Sequence, residues 1–150
     1  MVNFKFTLGT LLRLREAARD EKRGLLAEAL RLEDMLHGRV REFDEKLSEM
    51  KSQHLESIGP GAVNVDRLID THRYGLVLAA EKAVVVKQLA ALALETEKRR
   101  EALTVADGEV RVLEKLRETQ RERYLEEEQR QEVKMLDEVG SRRRIAEEAA

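Results

Sequence analysis

Apolar residues recur along the chain at alternating steps of three and four. Before the middle the series is Leu25, Ala29, Leu32, Leu36, Val40, Phe43, Leu47 and Met50. Such alternation is the heptad pattern of a helix packed along one narrow stripe. An extra step of four at Leu36 to Val40 reads as a stutter, which locally relaxes a left-handed supercoil, and Gly38 sits inside it. After the middle, Ala79, Ala83, Val86, Ala90 and Ala93 continue the rhythm. Leu103, Ala106, Val110 and Leu113 resume it beyond a polar patch at 95–101.

The break between the two series is Gly59-Pro60-Gly61, with the chain's only proline. Two glycines around a proline end a helix and turn the chain. A short polar side chain, Asn64 or Asp66, can then accept from the free N–H groups that open the next helix. The expected elements are a helix over about 5–56, a turn at about 57–64, a helix over about 65–139 and a charged tail at 140–150. At 1.5 Å per residue the helices span roughly 80 Å and 110 Å. A short connection makes neighbouring helices antiparallel. The fold expected is therefore all-α: one long antiparallel two-helix coiled-coil hairpin, with helix 2 longer than helix 1. Pairing outward from the turn brings the start of helix 1 beside about residue 115–120 and leaves a C-terminal overhang.

The stretch 75–94 holds more apolar residues than one seam can cover. Tyr74, Leu78, Val85 and Leu92 form a second stripe beside the alanine one. It is either a broader contact with helix 1 or an exposed strip that docks a partner helix or loop. The overhang is the opposite case: from 117 to 132 only Tyr124 and Leu125 are apolar. Glu114/Arg117, Glu118/Arg121, Glu127/Arg130 and Glu126/Arg130 are spaced for ion pairs along one helix, each contributing about 0.2–0.5 kcal/mol. The interior glycines Gly24, Gly38, Gly75 and Gly108 read as local softening or close helix approach.

Composition narrows the class further. Charged residues are 39% of the chain and aromatics 3%, which suits a thin aliphatic seam better than a thick globule. The net charge is −2, from 30 acids against 28 bases, so no strong field draws nucleic acid or acidic lipid. Arg142-Arg143-Arg144 is offset by Glu147 and Glu148, too balanced for a nucleic-acid site. With no cysteine there is neither a disulfide framework nor a thiolate metal site. Glu81, Lys82 and Lys87 interrupt the most apolar window, so no direct membrane insertion is expected, and the first residues lack a signal-peptide pattern. His37, His54 and His72 are not spaced as helical ligand pairs, and Gly59-Pro60-Gly61 lacks the lysine of a phosphate loop. No catalytic group, cofactor or metal site is expected.

Two terminal motifs carry a resemblance. Phe4-Lys-Phe-Thr-Leu8 followed by Leu11-Leu-Arg-Leu-Arg-Glu16 resembles the opening of the flagellar FliJ family. Leu113-Glu-Lys-Leu116, a charged run and then Glu132-Val-Lys-Met-Leu-Asp-Glu138 resemble its C-terminal pattern. The resemblance implies a non-enzymatic coiled coil of the flagellar type III export apparatus, similar to the central stalk of rotary ATPases. It implies binding to a FliI-like export ATPase, promotion of its ring assembly, and contact with a FlhA-like export gate and with export chaperones. It also implies a cytoplasmic protein peripherally associated with the inner membrane. By type and position, Tyr74 and Leu78 are the implied gate-binding candidates. Arg117, Arg121, Arg123, Arg130 and Lys134 on the overhang are the candidates for the ATPase ring. The equivalent stalk of a virulence secretion system and a self-associating coiled-coil scaffold are the alternatives.

Overall fold

A computed structural model describes residues 4–149. Two helices, α1 (Gly9–Ser57) and α2 (Val65–Glu148), pack against each other as a helical hairpin, and the second is the longer. Contacts group the chain into two compact units: residues 21–104, and the residues up to Asp20 with those from Val105 onward.

The unit of residues 21–104 contains the turn. Ile58 and Gly59 donate back to the Leu55 and Glu56 carbonyls, and Pro60 then bars helical continuation. Asn64 Oδ1 accepts from the Arg67 N–H at 3.1 Å. Asn64 is thus the cap that opens α2, while Asp66 in the first turn complements the helix dipole. From there the arms run antiparallel: Met50 lies against Gly75, Lys82 pairs with Asp44, and an Arg99 N–H donates to the Leu25 carbonyl at 2.7 Å.

The seam in this unit keeps six of the eight expected positions on α1 and follows a different stripe on α2. On α1 the half-buried or buried positions include the row Leu26, Ala29, Glu33, Leu36, Val40, Phe43, Leu47 and Met50, with Lys22, Gly38, His54 and Ser57 beside it. Leu25 and Leu32 are exposed. The steps now alternate three and four throughout, so the expected stutter at Gly38 is absent. Glu33 serves where Leu32 was expected, because its methylene stem can line a seam while its carboxylate reaches water. On α2 the seam is Leu68, Thr71, Gly75, Leu78, Lys82, Val85, Leu89, Leu92, Thr96 and Arg99, again with unbroken alternation. The expected alanine seam, Ala79, Ala83, Val86, Ala90 and Ala93, is exposed instead. Burial favours the stripe that removes more apolar area from water, at about 25 cal/mol per Å². Leu78, Val85 and Leu92 outweigh a row made mostly of alanines. Thr96 is buried within the seam, and its hydroxyl donates to the Leu92 carbonyl at 3.0 Å.

In the other unit, Leu12 of α1 is buried, as are Ala106 and Val110 of α2, and Arg15 pairs with Glu109 at 3.0 Å. Helix α1 begins at Gly9 rather than near Lys5. Residues 4–8 form a non-helical strap whose Phe4 and Phe6 are half-buried. Residues 7 and 8 turn, with the Gly9 N–H donating to the Phe6 carbonyl at 3.2 Å, and the Phe4 ring lies 5.7 Å from that of Tyr124. Helix α2 also continues through Gly140 to Glu148, where a tail was expected from 140. A lone glycine costs about 1 kcal/mol and does not end a helix that no proline follows.

Candidate partner-binding surfaces

The cover over α2 ends later than the sequence suggested. Leu113 and Glu114 are half-buried, and so are Thr119, Gln120, Tyr124 and Glu128. From 129 to 148 every residue is exposed. The overhang, expected from about 115–120, thus begins after Glu128. The Phe4 strap makes the difference. Tyr124 donates to Glu128 Oε1 at 2.9 Å beside that strap. Partial withdrawal from water, the Glu128 hydrogen bond and the Glu128 charge together push the Tyr124 hydroxyl above its ordinary value.

The five candidate cations divide accordingly. Arg117, Arg121 and Arg123 are exposed along the covered stretch. Arg130 and Lys134 lie on the uncovered one, where the Glu126–Arg130 pair forms at 4.0 Å. Exposed pairs of this kind contribute about 0–1 kcal/mol and break and re-form readily. A helix held by such pairs keeps its cations available to a partner's carboxylates.

Tyr74 and Leu78, one turn apart, are separated by the fold. Leu78 is 3% exposed in the seam, whereas Tyr74 is 53% exposed on its flank. Only Tyr74 offers a side chain to another molecule in this conformation. Nearby, a cavity of about 450 Å³ opens between the arms, with Leu47, Met50 and His54 on α1 and His72, Gly75 and Leu76 on α2. Gly75 stands at its wall: a β-carbon there would meet Met50 Cε at 3.3 Å. At Gly24 and Gly108 a β-carbon would meet nothing within 4 Å, so close approach explains neither. His54 and His72 share this cavity although no helical spacing links them, a neighbourhood that only the antiparallel pairing creates.

The larger feature is apolar surface. Around the middle of α2, Leu76, Val77, Val84, Val86 and Leu94 are all exposed, together with the alanines of the displaced row. The sequence pointed to excess apolar surface here and left the second stripe open as a contact with helix 1 or a free strip; Leu78, Val85 and Leu92 are covered, and the alanine row is the exposed one. Among the described residues no three metal-ligating side chains cluster, and no helix is long and apolar enough to cross a membrane.

A family model described as Flagellar FliJ protein matches residues 4–149. No curated protein matches, and no solved structure does.

Proposed function

Because the chain belongs to the flagellar FliJ protein family, a family of flagellar export proteins, we propose that it is the stalk of an export ATPase. In this reading it binds a FliI-like ring, promotes ring assembly, and links the ring to a FlhA-like gate and to export chaperones. It works in the cytoplasm, peripherally associated with the inner membrane, and performs no catalysis itself.

The observation that supports this best is the uncovered helix from 129 to 148. A stalk within a ring must present a polar surface and hold several similar subunits weakly. Arg130 and Lys134 meet that need, with Arg117, Arg121 and Arg123 continuing the charged surface toward the strap. Weak, screened contacts let one stalk exchange between equivalent sites. Tyr74 is the residue proposed to meet the gate. Leu78 acts beneath it, fixing the turn of α2 that presents Tyr74.

The test is ATP hydrolysis by the cognate export ATPase. The full chain is expected to raise the rate, and a chain ending at Glu128 to lose most of that stimulation while folding normally. Full stimulation by the shortened chain would move the ring contact elsewhere. No stimulation by the full chain, and no co-purification, would overturn the stalk reading. For the gate, Tyr74→Glu alone is the informative variant, since a charge at buried Leu78 would disrupt the seam as well.

A further inference from the structure

Helix α2 carries two heptad faces, and α1 covers one. The second is the row Val65, Ile69, His72, Leu76, Ala79, Ala83, Val86, Ala90 and Ala93, in unbroken alternation of four and three. Every one of these side chains is exposed, Leu76 at 60%. Eight of the nine are apolar. Repeats of this regularity and length are the mark of helix-on-helix packing, and a contiguous apolar strip on a charged surface marks an interface.

The order of side-chain sizes identifies the occupant. In an antiparallel pairing of this row with itself, centred between Ala83 and Val86, Leu76 meets Ala93 of the second copy. Ala79 meets Ala90, and Ala83 meets Val86. Each large side chain falls opposite a small one, which fills space evenly and allows the axes to approach toward the 8 Å end of the usual range. The same register continues outward with chemistry that fits. His72 falls opposite Glu97, Ile69 opposite the methylene stem of Arg100, and Val65 opposite Thr104. All three facing residues are exposed on α2. A parallel pairing in register does the reverse. It stacks Leu76 on Leu76, leaves alanine facing alanine in four layers, and sets His72 against His72.

We propose that this face of α2 binds a second copy of the chain, forming an antiparallel homodimer about a two-fold axis between Ala83 and Val86. The contact is isologous, as closed two-fold assemblies require. It is distinct from the intramolecular seam, which uses Leu78, Val85 and Leu92.

Sedimentation equilibrium of the full chain tests it. The mass is expected to rise with concentration from 17.3 kDa to twice that value. Ala83→Glu and Val86→Glu, both at exposed positions, should each hold the chain at the single mass with unchanged helical circular dichroism. Because the chain has no cysteine, the double variant Ala79→Cys/Ala90→Cys reports the register. Oxidation should give a covalent dimer joined from 79 to 90. A wild type that stays at the single mass at every concentration overturns the proposal. A dimer joined through 79 to 79 overturns the antiparallel register, and a dimer that survives both glutamate variants overturns the location. These outcomes do not depend on ATPase stimulation, so the stalk reading and the dimer can fail separately.

Discussion

Two stretches of α2 stand uncovered for opposite reasons. Around 75–94 the helix has more apolar surface than one neighbour can hide, so a whole face of it is left over. From 129 to 148 every residue is exposed, and charge keeps the helix compatible with water. The first is stable because the far side is packed. The second relies on helix propensity and ion pairs, each worth a few tenths of a kcal/mol. Exposure alone therefore says little about a helix; what matters is whether its other face is anchored.

The contrast can be broken most sharply at Leu78. Leu78→Ala should destabilise by about 2–3 kcal/mol, the lower part of the usual range, because a thin seam collapses partly into the gap. Urea unfolding followed by circular dichroism measures it, and an unchanged midpoint would show that the seam lies elsewhere. Ala29 is fully buried, so Ala29→Leu should cost about 1–3 kcal/mol by overpacking. Gly24→Ala and Gly108→Ala should each stabilise by about 0.5–1 kcal/mol, since the added methyl meets open space. Gly75→Ala should gain less, because Met50 must give way. On the uncovered stretch, Val133→Ala should stay within about 0.5 kcal/mol, as surface changes do. Ending the chain at Glu128 should leave the unfolding midpoint in place, provided that midpoint reports the seam. If the midpoint falls, the free end of α2 is anchored after all.

The smallest effect sits where the strap ends. The Tyr124 hydroxyl is raised above 10.0 in the folded chain. Its contribution is complete below that ordinary value and is lost as pH rises through the raised one, because the unfolded chain releases the proton first. Alkaline unfolding should therefore begin slightly earlier in wild type than in Tyr124→Phe. Indistinguishable curves would mean that neither the withdrawal from water nor the Glu128 bond carries weight.

Much of this was legible in the linear pattern. Gly59-Pro60-Gly61 placed the turn, the alternating steps announced helices, and the unequal lengths on either side required an uncovered end. The terminal motifs pointed to the family that the match over residues 4–149 bears out. The choice of stripe was not legible, because Leu25 and Leu26, or Leu78 and Ala79, satisfy the same period from adjacent positions. Nor was the reach of the strap, since nothing local says whether Phe4 is wound into a helix or drawn out along one.

Sequence by itself determined that the chain is a helical hairpin with one long arm, because periodicity, breakers and charge are local properties. Only the tertiary structure decided which apolar row is buried, where the cover ends, and that Tyr74 and Leu78 part company. Those outcomes depend on how much area two particular surfaces remove from water together, and one helix alone does not hold that information.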